Sequence, residues 1–255
     1  MKTIVLLGLL LQAAVSPTAD LKPFKQIEVQ ITPWHHIPAL MRLPENMSAG
    51  KRYPLLICLH GRSIAGNDVT KIFRQGVARQ MHEGKNIDAV NKVDGKKYEF
   101  IVMAPLATSW SLGPEELNVA LSDVIKRYPI DTTRIYITGY SAGGWSVAMA
   151  VTDKTLAKRI AAAVNMSPAT IDEKNLKSFS VTAANKIHTW YFGGTDEPVF
   201  LGNCKLYADS TNKYKPGLTR LTIGDHKHCC WEQYYNPSYR ENGYNIYEWL
   251  LQYKR

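Results

Sequence analysis

Short apolar runs alternate with amphipathic stretches along most of this chain. The apolar runs have the length and composition of strands covered on both faces, and they are Leu55–Leu59, Phe100–Met103, Arg134–Thr138, Ala161–Val164, His188–Phe192 and Thr219–Ile223. The stretches between and after them have helical spacing: Val69–Met81, Glu115–Arg127, Ala142–Thr152, Val199–Asn212 and Tyr244–Gln252. This alternation predicts an α/β fold, in which helices cover both faces of a mostly parallel sheet.

The remaining segments do not suggest a second domain. Gln26–Ile31 and Ala39–Leu43 alternate well enough for an antiparallel hairpin at the sheet edge, with Pro33 in the turn. The stretch His82–Tyr98 is rich in Lys, Asn, Asp and Gly, which predicts an exposed loop. Because we find no repeat and no Gly/Ser-rich linker, we expect residues 20–255 to form one domain.

The first residues have the layout of an export signal. Lys2 precedes an apolar run from Ile4 to about Val15, and small residues follow up to Ala19. The run is shorter than the ~17–25 apolar residues of a membrane-spanning helix. We therefore expect residues 1–19 to be a signal peptide, the mature protein to be periplasmic or extracellular, and no membrane span; the alternative is an N-terminal strand.

Composition narrows the possible functions. The 255 residues are 45% hydrophobic and 21% charged, which excludes a disordered chain, a collagen and a coiled coil. The net charge of +9 favours anionic partners in general, but no basic run is dense enough for a nucleic-acid arm, and we expect no nucleic-acid partner. Nothing in the sequence predicts a cofactor or an oligomeric state.

One sequence motif predicts a chemical role for a single residue. The strand-like residues Arg134–Thr138 lead into Gly139-Tyr140-Ser141-Ala142-Gly143, which is G-x-S-x-G, and a helical stretch follows. This strand–turn–helix context is what a serine nucleophile on a sharp turn requires, and the flanking glycines leave room for the strand and helix to approach. We predict that Ser141 is a nucleophile; the alternative is an ordinary glycine-rich turn.

A serine nucleophile needs a base and an orienting carboxylate. Asp196 follows the strand His188–Phe192 after a tight Gly-Gly-Thr turn and is the predicted acid; its alternative role is a helix N-cap, and Glu197 is the neighbouring alternative. Two histidines, His226 and His228, follow the last predicted strand and are candidates for the base.

Several motifs together resemble one family. Tyr53–Gly61 with its His-Gly turn, Phe100–Pro105, Tyr128–Tyr136, the G-x-S-x-G elbow and the end Tyr247–Leu251 resemble α/β-hydrolase serine esterases of the polyhydroxybutyrate-depolymerase, feruloyl-esterase and "predicted peptidase" group. The final loop of that group reads G-x-G-H-x-x-W. Aligned on Trp231, His228 matches and His226 does not, although Lys227 stands where the group has glycine.

The resemblance implies a mechanism and an α/β-hydrolase fold. Ser141 would attack an acyl carbonyl, His228 would move the proton and Asp196 would fix the histidine. The backbone N–H groups of Ala142 and Arg62 would form the oxyanion hole.

The four cysteines, Cys58, Cys204, Cys229 and Cys230, are too few for a disulfide framework. The cluster Asp225–Cys230 holds zinc-ligand residue types, but a second pair with the usual spacing is lacking, so we predict no metal. Because the triad would bring the acid and base loops together, we expect a bridge from Cys204 to Cys229 or Cys230. Cys58 lies in an apolar predicted strand, and we expect it to be a thiol buried in the core.

The substrate is the least determined feature. Only about twenty residues separate Val164 from His188, so we expect no large cap domain and an open cleft. Trp110, Tyr140 and Trp231 are candidates for its rim, with packing as the alternative role, most of all for Trp231. By analogy such a site suits acetyl or feruloyl esters on polysaccharide; peptidase, lipase and polyester-hydrolase activities remain alternatives, as does a non-catalytic binding protein.

Overall fold

The computed structural model describes residues 20–255, and the predicted signal peptide lies outside them. Ten strands are present in this part of the chain: β1 (Lys25–Thr32), β2 (His35–Arg42), β3 (Tyr53–Leu59), β4 (Ala89–Val90), β5 (Lys97–Tyr98), β6 (Ile101–Pro105), β7 (Ile130–Tyr140), β8 (Ala162–Met166), β9 (His188–Gly194) and β10 (Thr219–Gly224). Eight of them form one sheet in the order β1-β2-β6-β3-β7-β8-β9-β10. The sheet is parallel from β6 to β10, whereas β2 is antiparallel to both of its neighbours.

The described residues also form eight α-helices: α1 (Gly76–His82), α2 (Pro114–Arg127), α3 (Ala142–Thr152), α4 (Glu173–Leu176), α5 (Phe179–Ala184), α6 (Pro198–Asn212), α7 (Trp231–Tyr235) and α8 (Ile246–Leu251). Local sequence explains several boundaries. Pro114 occupies the first turn of α2, and the Glu116 carboxylate accepts the Gly113 N–H at 2.8 Å. Asn245 and Glu248 cap α8 reciprocally.

Two layers of apolar side chains cover the two faces of the sheet. Along β3, Leu55, Ile57 and Leu59 belong to one layer, and the intervening Leu56 belongs to the other. This period of two is that of a strand buried on both sides. The first layer receives side chains of α2, α3, α5 and α6, and the second receives those of α1, α7 and α8. The predicted α/β arrangement with helices on both faces is therefore confirmed.

The structure differs from the predicted elements in two places and agrees with the expectation of no large cap. The helix expected over Val69–Met81 is a 3₁₀ turn, Val69–Arg74, followed by α1, because Gln75 is extended and Gly76 has φ +77°. The expected loop His82–Tyr98 contains the small hairpin β4–β5. Between β8 and β9 lie only the short helices α4 and α5, so no large cap is inserted there.

No helix among residues 20–255 has both the length and the apolar character needed to cross a membrane.

The backbone is very closely packed where β7 runs into α3. A side chain at Gly139 would come within 2.5 Å of the Gly143 carbonyl, and one at Gly143 would overlap the Leu59 and His60 carbonyls of the neighbouring strand end. These neighbours are backbone atoms, which cannot rotate away. The two glycines of the motif are therefore required by the crossing itself.

We expect Gly143→Ala to lower the free energy of unfolding by about 3 kcal/mol or more, because its methyl group would meet fixed backbone. Urea denaturation followed by circular dichroism measures the change. The matched control is Gly202→Ala in the exposed part of α6, where no atom lies within 4 Å of the added carbon. That variant should be roughly 0.5–1 kcal/mol more stable than the wild type. Equal stability of the two variants would contradict the packing argument.

Candidate active site

Ser141 lies on the sharp turn between β7 and α3, at the C-terminal edge of the parallel strands. Its backbone has φ 55° and ψ −118°, a strained conformation for a residue with a side chain. Three backbone hydrogen bonds hold it: its N–H donates to Met166 O at 3.0 Å, and its carbonyl accepts the N–H groups of Trp145 and Ala169 at 2.9 and 3.1 Å. The turn raises the hydroxyl above the sheet edge.

His228 is the imidazole that reaches this hydroxyl. Its Nε2 is 2.9 Å from Ser141 Oγ, although 87 positions separate the two residues in the chain. The Phe200 ring stacks on the imidazole at 3.6 Å between centroids, and Trp231 meets it edge-on at 5.1 Å. The other candidate, His226, is buried elsewhere and hydrogen-bonds to Tyr234 OH at 2.9 Å. The structure thus brings together the predicted nucleophile and the predicted base.

The carboxylate partner of His228 is Glu197, and the prediction of Asp196 is wrong on this point. Glu197 Oε2 lies 2.6 Å from His228 Nδ1, and the Glu197 side chain is only 1% exposed. The Asp196 side chain points to solvent, because the turn after β9 holds its N–H on His226 O at 3.2 Å. Instead, the turn directs the neighbouring Glu197 inward, the residue that the sequence offered as the alternative acid.

Hydrogen bonds to both carboxylate oxygens hold the Glu197 side chain in place. Oε1 accepts hydrogen bonds from Ser167 Oγ at 2.5 Å and from the Gly194 N–H at 2.6 Å, while Oε2 faces His228. A buried carboxylate is tolerated only when its lone pairs are satisfied in this way. Hydrogen bonds therefore run without a gap from Ser167 through Glu197 and His228 to the Ser141 hydroxyl.

His60 holds the loop that carries one predicted oxyanion donor. Its Nδ1 donates to Gly61 O and its Nε2 accepts the Ala107 N–H, both at 2.9 Å. Because Nε2 accepts an N–H while Nδ1 donates, this bonding pattern requires a neutral ring, and burial, which lowers the pKa of His60, favours that form. Arg62 begins the 3₁₀ turn just beyond, and Ala142 is the first residue of α3, whose N–H has no acceptor within the helix.

A cleft of about 220 Å³ opens beside these groups, and its lining includes Arg62, Gln75, Tyr140, Ser141, His228 and Trp231. Tyr140 and Trp231 are both mostly buried and stack on each other at 4.7 Å, so they form its floor as packed residues. Trp110 is not among the lining residues; it is half-buried and lies 5.9 Å from the Arg62 guanidinium.

The cysteines do not pair as expected. Cys229 and Cys230 are bonded to each other, and Cys204 is free and buried with its Sγ 3.2 Å from Phe192 O, so the predicted bridge to the acid-loop helix is wrong. The reason is orientation, because the Cys204 side chain faces β9.

Among residues 20–255, no three His, Cys, Asp or Glu side chains are placed to share a metal ion.

Two contacts at the site were not anticipated from the sequence. Ser167 follows β8, and Phe200 lies in the first turn of α6. Neither carries a motif, since a serine after a strand and a phenylalanine on a helix are common. Their one available signal was position, because both residues follow parallel strands whose C-terminal ends lie at the same edge of the sheet as Ser141.

Comparison with solved structures identifies the fold. A thermostable esterase superposes with a TM-score of 0.70 at 22% identity, covering 92% of this chain and 64% of the other. A ferulic acid esterase gives 0.58 at 15% identity over 90% and 98% of the two chains. The acylaminoacyl peptidase of Pyrococcus horikoshii gives 0.61 at 12% identity over 91% and 44%.

The predicted α/β-hydrolase fold is confirmed by these likenesses. The chain spans less than two thirds of the length of the thermostable esterase and of the peptidase, but nearly all of the ferulic acid esterase. No protein-family model matches the sequence, and no curated protein matches it.

The identity of the acid can be tested by a matched pair of variants. Glu197→Gln should lower kcat of any reaction that uses Ser141 as the nucleophile roughly 10³–10⁴-fold, because an amide no longer favours the required tautomer and cation of the imidazole. Asp196→Asn should change kcat by less than about threefold, since its charge points to screening solvent. Steady-state kinetics of both variants, with circular dichroism to confirm folding, decides between them. A larger loss of kcat in Asp196→Asn than in Glu197→Gln would show that Asp196, and not Glu197, is the acid.

The cysteine arrangement predicts a thiol count. Denatured but unreduced protein should give two free thiols, those of Cys58 and Cys204, and reduction should raise the count to four. In the folded protein both free thiols should react slowly, because burial raises their pKa. Titration with a chromogenic disulfide reagent measures both. Finding three or more thiols before reduction would contradict the Cys229–Cys230 bond.

Proposed function

We propose that this chain is a serine hydrolase that cleaves carboxylic esters, with Ser141 as nucleophile, His228 as base and Glu197 as acid. The observation that carries the proposal is the unbroken set of hydrogen bonds from Glu197 through His228 to Ser141 Oγ, at a strained turn between a strand and a helix. A serine hydroxyl without a role has no need of either a strained backbone or an imidazole held by a buried carboxylate.

The mechanism follows from the order of these contacts. His228 Nε2 accepts the Ser141 proton as Oγ attacks the acyl carbonyl, and Nδ1 stays hydrogen-bonded to Glu197, whose charge stabilises the imidazolium. The imidazolium then gives its proton to the leaving alcohol, and an acyl-enzyme remains. Water attacks that ester with His228 again as base, which releases the acid and regenerates Ser141.

The developing oxyanion requires donors on the other side of the scissile carbonyl. We assign this role to the backbone N–H groups of Ala142 and Arg62, which begin two short helical segments beside Ser141. The bonds of His60 to Gly61 and Ala107 fix the Arg62 loop before substrate arrives, so little reorganisation is needed.

The substrate class that we favour is an acyl group on a bulky, polar alcohol, such as an acetyl or feruloyl ester of polysaccharide. The small cleft above Ser141 suits a short or flat acyl group, and no large cap between β8 and β9 hinders a bulky alcohol. One of the similar structures is a ferulic acid esterase, and this chain covers 98% of its length. Export, proposed from residues 1–19, would suit such a substrate.

Two alternatives share the fold. A peptidase is favoured by the likeness to an acylaminoacyl peptidase, but this chain spans only 44% of that protein. A binding protein with an inactive site would need neither the contact between His228 and Ser141 nor the three hydrogen bonds that hold Glu197.

Hydrolysis of p-nitrophenyl acetate tests the reaction class. We expect the wild type to release p-nitrophenol with an initial burst or steady turnover, and Ser141→Ala to lose at least about 10³-fold in kcat, because no other nucleophile is aligned with His228. Thermal unfolding of the variant serves as the folding control. Equal rates in wild type and variant would leave only the binding interpretation.

A substrate panel tests the finer assignment. Acetylated xylan oligosaccharides and methyl ferulate should be cleaved with higher kcat/KM than triglycerides or N-acyl peptides, because the cleft is small and uncapped. Chromatographic detection of released acid or amine compares all four on one scale. Preference for the peptides would favour the peptidase alternative.

A further inference from the structure

The segment Met166–Ala169, which begins at the last residue of β8, contacts the backbone of the nucleophile from both sides. Met166 O accepts the Ser141 N–H at 3.0 Å, and the Ala169 N–H donates to Ser141 O at 3.1 Å. Ser167 lies between these two contacts, is completely buried and has φ +43°. A residue with a side chain persists in this left-handed conformation only where its surroundings hold it.

The Ser167 hydroxyl has a defined partner for its proton and another for its lone pair. It donates to Glu197 Oε1 at 2.5 Å, and it accepts the Trp231 Nε1–H at 3.1 Å. The direction is fixed because an indole N–H only donates and an ionised carboxylate only accepts. The hydroxyl cannot turn away without leaving a buried donor or acceptor unpaired, which is costly.

We propose that Ser167 is a positioning residue that orients the Glu197 carboxylate toward His228. The proposal rests on the proposed function of the same site. Among residues 20–255, the partners of Glu197 Oε1 are the Ser167 hydroxyl and the Gly194 N–H, while Oε2 faces His228. With the hydroxyl removed, Oε1 would keep a single one of these two donors, the Gly194 N–H, so the carboxylate would be held less firmly in its orientation toward His228. Ser167 thus acts through Glu197 and does not touch the reacting atoms.

Two further contacts tie Ser167 to both sides of the site. Trp231, which donates to it, stacks on Tyr140 next to the nucleophile and meets the His228 ring edge-on. Asn203, on the helix that begins just after Glu197, donates to Pro168 O at 2.9 Å. The segment after β8 is therefore bonded to the nucleophile turn and to the acid helix together, which makes the relative position of these two elements depend on it.

Ser167→Gly is the most informative change. Glycine adopts φ +43° without strain, so the backbone is favoured while the hydroxyl is lost. We expect kcat for p-nitrophenyl acetate to fall about 10- to 100-fold, the effect of one hydrogen bond to a charged group, with KM changed less than about twofold. The control is Ser146→Ala in α3, which loses another buried hydroxyl, bonded to Leu112 O at 2.6 Å, away from Glu197. It should keep kcat within about threefold.

A double-mutant cycle shows whether the effect passes through the acid. In a Glu197→Gln background, Ser167→Gly should change kcat by less than about threefold, because the carboxylate that it orients is already absent. Equal fold losses in the two backgrounds would overturn the proposal, since Ser167 would then act independently of Glu197. An unchanged kcat in Ser167→Gly alone would also overturn it.

A spectroscopic measurement separates this proposal from the proposed function. The Nδ1–H proton of His228, shared with Glu197, should give a far-downfield resonance in proton NMR that is lost in His228→Ala. Ser167→Gly should shift or broaden this resonance, and Ser146→Ala should not. If the wild type hydrolyses no ester but the resonance responds, the reaction assignment fails and the positioning role stands. A resonance that Ser167→Gly leaves unchanged would refute the positioning role, whatever the activity.

Discussion

The close approach of β7 and α3 is the constraint on which the rest of the site depends. Gly139 and Gly143 let the strand end and the helix start come within van der Waals contact, and the turn between them forces Ser141 to φ 55°. Such a conformation costs on the order of 1–3 kcal/mol. Packing of α3 against the sheet and the bonds of Ser141 to Met166 and Ala169 offset this cost. Because the turn is held in this conformation, the Ser141 hydroxyl stays at one place above the sheet edge.

A second constraint is electrostatic. Glu197 is a carboxylate with almost no access to water, and such a group is stable as an anion only with several donors around it. Ser167, Gly194 and His228 supply those donors from three different segments of the chain. The same bonds that make the buried charge tolerable also set its direction. The stability of the buried Glu197 carboxylate and the orientation of the His228 ring therefore have one structural origin.

Parallel strands explain why these groups meet at all. The ends of β3, β7, β8, β9 and β10 lie at one edge of the sheet, and the segments that follow them carry, in that order, Arg62, Ser141, Ser167, Glu197 and His228. Each of these strands is followed by one residue of the candidate site, as ligand and catalytic groups commonly gather at the carboxyl ends of parallel strands. The antiparallel pair β1–β2 extends the sheet on one side and contributes none of these groups.

The sequence determined the α/β fold and the strained serine turn, because these depend on local patterns of apolar periodicity and glycine spacing. The preference for His228 over His226 rested on a family resemblance, the tryptophan three residues after the histidine, and the tertiary structure places His228 beside Ser141. The sequence did not determine which of two adjacent carboxylates faces inward. Asp196 and Glu197 have the same chemistry and differ by one position, so only the path of the turn after β9, held by the Asp196 N–H on His226 O, assigns one to solvent and the other to the imidazole. The pairing of the cysteines and the role of Ser167 likewise depend on contacts between distant segments, where side-chain direction decides and sequence spacing carries no information.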